Sequence, residues 1–388
     1  MQPLFINTTE QLNEFCEQIT GSQWLAIDTE FLREKTYYPV FCLLQVSNGE
    51  VAACIDPLAI DDMSAMTDIL YREDIVKVLH AAHQDLEIFY HLWQKIPYPV
   101  FDTQLAAAIT GYGDQMGYGR LVEQMLNVKL AKTQSRTDWS ARPLDQEQLQ
   151  YALDDVIYLA DIYLKLDSKI KKLGRQSWLE AEYEVFNTPA TFQVSAEDAW
   201  TKVKGRQNLK GAQYAVLQKL AGWREKVAIN SNRPRRWILK DEVLIDLSRR
   251  MPGNPGQLKK IRGLEEKTIA KNGSKLLELI QQGKSMPQEQ WPVDDKSWVK
   301  LNRQQEVLAD LLMCCLRIIS VNHDITAAAI ASRKDVEKLI SGAFDTPLMQ
   351  GWRRKIAGDT LVDVIDRRLL PCWQSDGTLQ LCAVTSAG

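Results

Sequence analysis

The residues from Trp24 to Phe31 constrain the fold most, because they place two carboxylates within an otherwise apolar run. The run has the pattern of a buried strand, in which side chains two apart point to the same face. Asp28 and Glu30 therefore project together beside a hydrophobic core. Carboxylates held this close repel each other and lose hydration, and a hard divalent cation such as Mg²⁺ or Mn²⁺ relieves both costs. The alternative is a strand end at which both acids simply reach water.

Two further segments supply carboxylates that a sheet edge can bring together. Asp85 begins a predicted helix after a short apolar strand over 75–79, and Tyr151 and Asp155 lie four residues apart in another predicted helix. Residues at this spacing face the same side of a helix. Acids from three elements would repel one another without cations, and two metal ions held by such acids suit in-line phosphodiester hydrolysis. Tyr151 could then orient the attacking water.

The order of predicted elements indicates a mixed sheet covered by helices, followed by an all-helical half. Strands over 41–46 and 51–55 flank a hairpin signal, and strands and helices then alternate. Asp145 and Gln148 form a predicted capping box for a helix that runs to about residue 173. Strand patterns disappear after about residue 195. Two helical units of similar length, roughly 205–285 and 295–375, suggest a duplicated module.

Composition and charge fit this division of the chain. The 388 residues predict two or three domains. Residues 1–190 hold 15 Lys and Arg against 28 Asp and Glu, a balance of −13, whereas the remainder has a balance of +10. A catalytic domain joined to a polyanion-binding domain would show this asymmetry, as would two unrelated solvated surfaces.

The lack of targeting signals and the pattern of cysteines predict a cytoplasmic protein. The first residues lack the basic and apolar regions of a signal peptide, and no apolar run reaches membrane length. The seven cysteines are odd in number and lack Cys-x-x-Cys spacing. We therefore expect reduced, mostly buried thiols and neither a disulfide framework nor a zinc site.

Several segments together resemble one known family. The acids and Tyr151 resemble the DEDD exonuclease superfamily in its tyrosine-bearing branch, and the basic helical half resembles a pair of helicase-and-ribonuclease-D C-terminal (HRDC) domains. The closer resemblance, over about residues 3–175, is to bacterial ribonuclease D. It is carried by Asp28-Thr29-Glu30-Phe31, Thr36-Tyr37-Tyr38-Pro39, His80-Ala81-Ala82 before Asp85, and Trp139-Ser140-x-Arg142-Pro143-Leu144 leading into Tyr151-Ala152.

The resemblance implies an α/β ribonuclease-H-like exonuclease domain, residues 1–190, followed by two all-α HRDC-type domains, residues 205–290 and 295–375. It also implies 3′-to-5′ hydrolysis of RNA to 5′-mononucleotides, with two Mg²⁺ or Mn²⁺ ions per site. The expected substrates are tRNA precursors with single-stranded 3′ ends, and the expected state is a monomer.

The family's catalytic roles transfer to matching residues of this chain. Asp28 would bridge both metals, and Glu30 and Asp155 would complete the site of the water-activating metal. Asp85 would support the second metal through water, and Tyr151 would hydrogen-bond the nucleophilic water.

Neighbouring residues leave alternatives open. Asp154 replaces Asp155 as the ligand if the helix register is shifted by one, and His80 and His83 are weaker candidates because hard ions prefer oxygen. Glu87 and Asp102 fit surface or structural roles. The candidate RNA contacts are Phe31, Arg136, Arg142, Arg233, Arg235 and Arg236.

Each candidate RNA contact also has a structural reading. Phe31 could pack in the core instead of stacking on a base, and Arg142 could hold a loop salt bridge. In the basic segment from Arg233 to Trp237, Trp237 is expected to pack in the core, whereas Arg233, Arg235 and Arg236 are expected to contact the RNA backbone.

Two other functions remain possible on the sequence alone. One is a DNA exonuclease of the proofreading type, because HRDC modules also occur on DNA helicases. The other is a noncatalytic nucleic-acid-binding scaffold, against which the complete acid set argues.

Overall fold

The structure is a computed structural model that describes residues 4–131, 134, 137–184, 186, 188–193, 195–293 and 301–384. The chain divides into two compact units, and each is discontinuous in sequence. The first unit contains Met1–Glu30, Phe41–Thr188 and Val299–Gly388, and the second contains Phe31–Val40 and Pro189–Trp298.

A six-stranded sheet forms the centre of the first unit. Its strands are β1 (Leu4–Ile6), β2 (Trp24–Leu32), β3 (Val40–Ser47), β4 (Ala52–Ile55), β5 (Val76–Leu79) and β6 (Val100–Asp102), in the spatial order β1-β4-β3-β2-β5-β6. β1 pairs in parallel with β4, β4 is antiparallel to β3, and β2, β5 and β6 run parallel. The sheet is therefore mixed, as predicted. Two further strands, β7 (Leu369–Trp373) and β8 (Leu379–Ala383), form a separate antiparallel hairpin.

Helices account for most of the remaining described chain. They are α1 (Thr9–Ile19), α2 (Ser64–Leu70), α3 (His83–Trp93), α4 (Thr103–Ile109), α5 (Tyr118–Leu126), α6 (Gln146–Leu173), α7 (Gln176–Tyr183), α8 (Ala212–Asn230), α9 (Arg235–Ile238), α10 (Asp241–Arg250), α11 (Pro255–Leu258), α12 (Glu266–Lys284), α13 (Arg303–Asn322), α14 (Ala327–Ile330), α15 (Arg333–Ile340), α16 (Gly351–Arg353) and α17 (Asp359–Ile365). A π-helical turn over Arg354–Gly358 joins α16 to α17, and short 3₁₀ turns lie at Pro189–Thr191, Ala199–Lys202, Arg206–Asn208, Gln288–Gln290 and Pro347–Met349.

The long helix α6 begins and ends as its sequence predicts. The Asp145 side chain accepts a hydrogen bond from the Gln148 backbone N–H at 2.7 Å. The Gln148 side-chain oxygen accepts one in turn from the Asp145 backbone N–H at 2.9 Å. Gly174 ends the helix at φ +64°, a left-handed conformation that glycine adopts at little cost. Its apolar face is buried against the sheet side of the first unit, which fixes the rotation of the whole helix.

The C-terminal helices α13 to α17 belong to the same hydrophobic core as the sheet. Trp178 of α7 stacks on Trp352 of α16, with ring centroids 4.6 Å apart and planes 6° from parallel. The Trp352 indole N–H also donates to Glu182 at 3.1 Å. This helical part is therefore packed tightly within the first unit.

The second unit combines helices α8 to α12 with the short segment Phe31–Val40. Its own core is built from apolar faces of α8, α10, α11 and α12. Glu225 is almost fully buried, and its carboxylate accepts from the Tyr37 hydroxyl and from both Nε and Nη2 of Arg235, the latter at 2.6 Å. Asn232 Oδ1 also accepts the Tyr37 backbone N–H at 3.0 Å. The segment is thus anchored by helical residues almost 200 positions away in sequence.

The cysteine prediction is wrong at one pair and consistent elsewhere. Cys372 and Cys382 form a disulfide across the β7–β8 hairpin. The five free cysteines are mostly buried, with only Cys314 exposed. The two bonded cysteines lie in strands that the sequence analysis did not predict, so their proximity could not be anticipated. Within the described ranges, no helix is both long and apolar enough to cross a membrane.

Candidate active site

The central strand β2 presents the first two carboxylates. Leu25, Ala26 and Ile27 are fully buried, so the strand is fixed in the core, while Asp28 and Glu30 are only partly buried and face one side. β2 lies between β3 and β5 in the sheet. The two acids are therefore held by a rigid element with little freedom to separate.

Helix α6 brings Asp155 to the same place. One carboxylate oxygen from each of Asp28, Glu30 and Asp155 lies within 4.8 Å of the others. Ala152 and Val156, beside Asp155 in the helix, are fully buried and set its orientation. The predicted meeting of strand and helix acids is present in the structure.

Asp85 lies beside this trio without joining it. It occupies the first turn of α3, is 6% exposed, and accepts a hydrogen bond from the Thr29 hydroxyl. Asp28 and Glu30 are close enough to Asp85 for its charge to act on their ionisation. Its position fits an indirect role beside the three clustered acids.

All four carboxyl groups have pKa values above their ordinary range. Burial is the largest cause in each case. Repulsion from neighbouring acids adds to it, with Asp155 the strongest neighbour of both Asp28 and Glu30 and with Asp154 acting on Asp155 itself. The pKa of Glu30 rises to about 8, those of Asp85 and Asp155 to about 7, and that of Asp28 well above its usual value.

This electrostatic state fits a divalent metal site. Packed acids that resist ionisation are stabilised by a nearby cation, and an all-oxygen donor set suits hard ions such as Mg²⁺ and Mn²⁺. The described residues of the cluster include no imidazole or thiol ligand. The residues present therefore match the expected class of metal.

Tyr151 lies one turn before Asp155 and lines a cavity of about 260 Å³ with it. Its hydroxyl has no hydrogen-bond partner among the described residues, and burial followed by the neighbouring acids raises its pKa. It is therefore a neutral phenol able to donate or accept. This cavity is open, with Leu130, Ala131, Glu147, Gln150 and Asp154 as its other lining residues.

Two residues outside the cluster support the elements that carry the acids. Tyr118 of α5 donates its hydroxyl to the Asp155 backbone carbonyl at 2.5 Å. Asp102 accepts the backbone N–H groups of Ala81 and Ala82 at 3.1 and 2.9 Å, just before the helix that carries Asp85. Ala81 has φ +57°, so Asp102 helps to hold a strained turn. Of the two roles predicted for Asp102, surface or structural, the structure shows the structural one, whereas Tyr118 was not predicted.

The alternative ligands do not join the cluster. Asp154 accepts from Gln150 Nε2 at 2.8 Å, and His80 is held between the Thr103 hydroxyl at 2.9 Å and the Met116 carbonyl at 3.0 Å. His83 is exposed at the start of α3, and Glu87 lies farther along the same helix. Among the described residues, the metal cluster contains only the predicted acids.

The structure places Arg142 in the loop salt bridge that was the alternative to its predicted RNA contact, so the RNA contact is not supported. Its Nε and Nη2 form a bidentate ion pair with the buried Asp56 at 2.6 and 2.7 Å. Its remaining donors bind the carbonyls of Cys42, Trp139 and Ala141, each at 2.8 Å. A guanidinium whose five donors are all used within the protein holds its loop in place.

The other predicted RNA contacts have different environments. Arg136 lies outside the described residues. Phe31 is partly exposed, and Arg235 is engaged by Glu225 and Tyr37, so its predicted phosphate contact is not supported. Arg233 and Arg236 are exposed, with Arg236 3.7 Å from Glu242 in a solvent-facing pair. Trp237 is 61% exposed, so the expectation of a core tryptophan was wrong.

Comparison with known proteins agrees with this geometry. Residues 3–171 match a model of the 3′-5′ exonuclease family, and residues 213–280 match the HRDC domain. The fold and site thus define a ribonuclease-H-like 3′-5′ exonuclease with an HRDC domain.

Full-length relatives narrow this class. The chain is 38% identical to ribonuclease D of Sphingobium indicum over 94% of this chain and 95% of the relative, and equally identical to that of Zymomonas mobilis over 94% of each. The crystal structure of Escherichia coli RNase D, described as an exoribonuclease involved in structured RNA processing, superposes with a TM-score of 0.82. It is 32% identical and covers 94% of this chain and 99% of that one. The chain belongs to the ribonuclease D family, and it is a 3′-5′ exoribonuclease.

Proposed function

We propose that Asp28, Glu30, Asp85, Tyr151 and Asp155 carry out metal-dependent removal of 5′-mononucleotides from RNA 3′ ends. The observation that supports this most directly is that three carboxylate oxygens, two from β2 and one from α6, lie within 4.8 Å of one another. Such a cluster does not stabilise the fold, because the negative charges repel one another and raise the pKa values of Asp28 and Glu30. Its arrangement is understandable as a cation site.

The carboxylates would hold two divalent ions, Mg²⁺ or Mn²⁺. Bound there, the ions supply a water of lowered pKa and positive charge for the leaving oxygen. Asp28 would contribute to both positions, while Glu30 and Asp155, whose carboxylate oxygens lie within 4.8 Å of it, would complete one of them. Asp85, oriented by the Thr29 hydroxyl, would act on the second position through water.

Tyr151 would orient the attacking water. Its hydroxyl is neutral at physiological pH and has no partner among the described residues, so it is available to a water in the adjoining cavity. Tyr118, through the Asp155 carbonyl, would keep the helix turn that carries Asp155 in position.

The substrates we propose are tRNA precursors with single-stranded 3′ ends, acted on in the cytoplasm by a monomer. The activity described for the Escherichia coli relative, structured RNA processing, supports RNA of this kind. Of the predicted contacts, Arg233 and Arg236 remain candidates for the RNA backbone because both are exposed, and the partly exposed Phe31 remains a candidate for stacking on a base. The exposed Trp237 beside them offers a surface on which a base can stack.

We also propose that the chain contains an exonuclease domain at 1–190, an HRDC domain at 205–290 and a second HRDC-like domain at 295–375. We call α8 to α12 the first helical module and α13 to α17 the second helical module. The short helices α9 and α14 begin at residues 235 and 327, and α10 and α15 begin at 241 and 333, so both pairs are separated by 92 residues. Asn232 and Asp324, at the same separation, share φ +46°. This constant spacing supports a duplication.

The test is hydrolysis of RNA labelled at either end, with Mg²⁺, with Mn²⁺ and with chelator. A 3′ label should appear at once as mononucleotide, and a 5′ label should report stepwise shortening that stops in chelator. Asp28→Asn should lower turnover by about 10²-fold or more while RNA binding persists.

Asp154→Asn is the matched control, because this acid is adjacent to the cluster but outside it. It should retain most of the activity. Equal losses in both variants, or cleavage that persists in chelator, would refute the proposed site.

A further inference from the structure

A cationic cavity lies within the first helical module, among residues not predicted as catalytic. Its open volume is about 600 Å³, within the usual range for ligand sites. It is formed where α10 ends, where α11 begins and at the end of α12. Its charged lining residues are Arg250, Lys260 and Lys284, and Asn254 and Gln257 contribute amide groups.

The positive charge in this cavity is poorly compensated. Lys260 and Lys284 are exposed, and neither has an ion-pair partner in the part of the chain that the structure describes. Arg250 is paired with Asp246 only through Nε, at 2.9 Å, and its side chain is 57% exposed. None of the residues lining the cavity is acidic. Three cations around one open space attract an anion from solution.

The second helical module has a different surface at the corresponding position. At the 92-residue spacing, Gly351-Trp352 corresponds to Lys259-Lys260. Trp352 is 5% exposed and stacks on Trp178, so this position packs against protein in the second module. The first module keeps lysines and an open cavity at the same place. The two modules have therefore diverged at this surface, one toward packing and one toward charge.

We infer that the cavity binds a backbone phosphate of the RNA substrate, at a point formed by residues other than the catalytic acids. The inference rests on the proposed RNA substrate. The lining contains cations and amides but no aromatic side chain, which suits phosphate rather than a base. Binding here is independent of RNA sequence and weakens as salt rises, because each phosphate contact releases counterions.

The experiment measures binding of a fluorescein-labelled single-stranded RNA by anisotropy over a series of KCl concentrations, with chelator present to prevent hydrolysis. Lys260→Ala/Lys284→Ala should weaken binding about tenfold at low salt. The slope of log Kd against log salt should fall by roughly 0.7 for each lost contact. Lys260→Arg/Lys284→Arg should restore both values, since it returns the charge.

Lys267→Ala/Lys271→Ala is the matched control, because both residues are exposed on α12 and neither lines the cavity. It should change the affinity less than twofold. Equal weakening by this control would mean that only the overall charge of the module matters, and an unchanged slope in the cavity variant would overturn the inference.

The two proposals can fail separately. Binding is measured without turnover, so an absence of metal-dependent hydrolysis in the wild type would refute the catalytic proposal alone. Thermal unfolding of each variant shows that it is folded, and Lys284→Glu alone gives the same readout if the double variant is unstable.

Discussion

At the scale of single residues, the acids of the active site share one environment that opposes their ionisation. Asp28, Glu30, Asp85 and Asp155 are each buried enough, and close enough to other acids, to retain protons that an exposed carboxyl group would release. Metal ions and protons therefore compete for the same oxygens.

This competition predicts a steep pH dependence of metal binding. Glu30 titrates at about pH 8 and Asp155 at about pH 7, both above the ordinary carboxyl range, so these groups are protonated at pH 6. Mn²⁺ affinity measured by titration calorimetry should rise at least roughly tenfold from pH 6 to pH 8. Affinity that is constant across this interval would contradict the assignment.

The same shifts set the stability of the metal-free protein. The folded chain binds protons that the unfolded chain has already released, so its free energy of unfolding should decrease as pH rises from about 4 to about 8. Denaturant unfolding with chelator measures this, and adding Mn²⁺ should remove much of the loss above pH 7.

Tyr151 gives a second prediction at this scale. Tyr151→Phe removes only a hydroxyl that bonds no described residue, so stability and metal affinity should be nearly unchanged. Turnover should fall by about 10²-fold because the attacking water loses its orientation. Single-turnover rates at saturating metal provide the measurement. A full rate with Phe would show that the hydroxyl has no role.

Local spacing in the sequence explains why most of the active-site residues could be predicted. Asp28 and Glu30 are related by the period of a strand, and Tyr151 and Asp155 by one turn of a helix. Arg142 shows the limit, because its partner Asp56 is 86 residues away and no local pattern links them. Its fully used donors could be recognised only in the folded structure.

At the scale of elements, helix contact in the first helical module depends on the absence of a side chain. A Cβ added at Gly283 of α12 would lie 2.6 Å from Val216 Cα and 2.7 Å from Val216 N in α8. These are backbone atoms that cannot move aside without shifting a helix. The close approach of α8 and α12 is therefore possible only with glycine at this position.

Gly283→Ala should destabilise the protein by about 2–3 kcal/mol, as overpacking does. Gly119→Ala in α5 is the matched control, since no atom lies within 4 Å of its added Cβ. The control should be neutral or stabilising by up to about 1 kcal/mol. Urea unfolding of both variants tests this, and equal stability would show that α8 and α12 can separate.

Most elements were predicted because their hydrophobic periods are long or their caps are strong. The capping box of α6 and the hairpin between β3 and β4 are examples. The sequence did not predict β1, which has three residues, or the β7–β8 hairpin, whose residues are all half-exposed or exposed. α5 and α7, which have nine and eight residues and no side-chain capping hydrogen bond, were also missed. Short or weakly capped elements depend on tertiary contacts that sequence periodicity does not reveal.

At the scale of the whole molecule, the compact units do not follow the sequence order of the domains. Phe31–Val40 belongs to the second unit although it follows Glu30 directly in β2. The contacts that decide this membership, such as Tyr37 with Glu225, join residues 188 positions apart. A domain division based on sequence order alone therefore cannot show that Phe31–Val40 belongs to the second unit.

Glu225→Ala should release this segment. It leaves Arg235 without its carboxylate partner and Tyr37 without its acceptor, at a cost of about 3 kcal/mol. Trypsin cleavage after the exposed Arg33 and Lys35 should become faster. Glu242→Ala is the control, because its pair with Arg236 is exposed and should contribute little. Equal cleavage rates in both variants would contradict the anchoring role.

Because Phe31–Val40 belongs to the second unit, the parts of this protein cannot be exchanged between genes at one sequence junction. A chimera that takes its first helical module from a distant relative would separate Tyr37 from the Glu225 and Arg235 to which it is hydrogen-bonded. Such a gene would require the ten residues after Glu30 to be exchanged as well. Recombination at a single junction near residue 190 would therefore divide one cooperative structure, so the nuclease and its helical partner are expected to descend together.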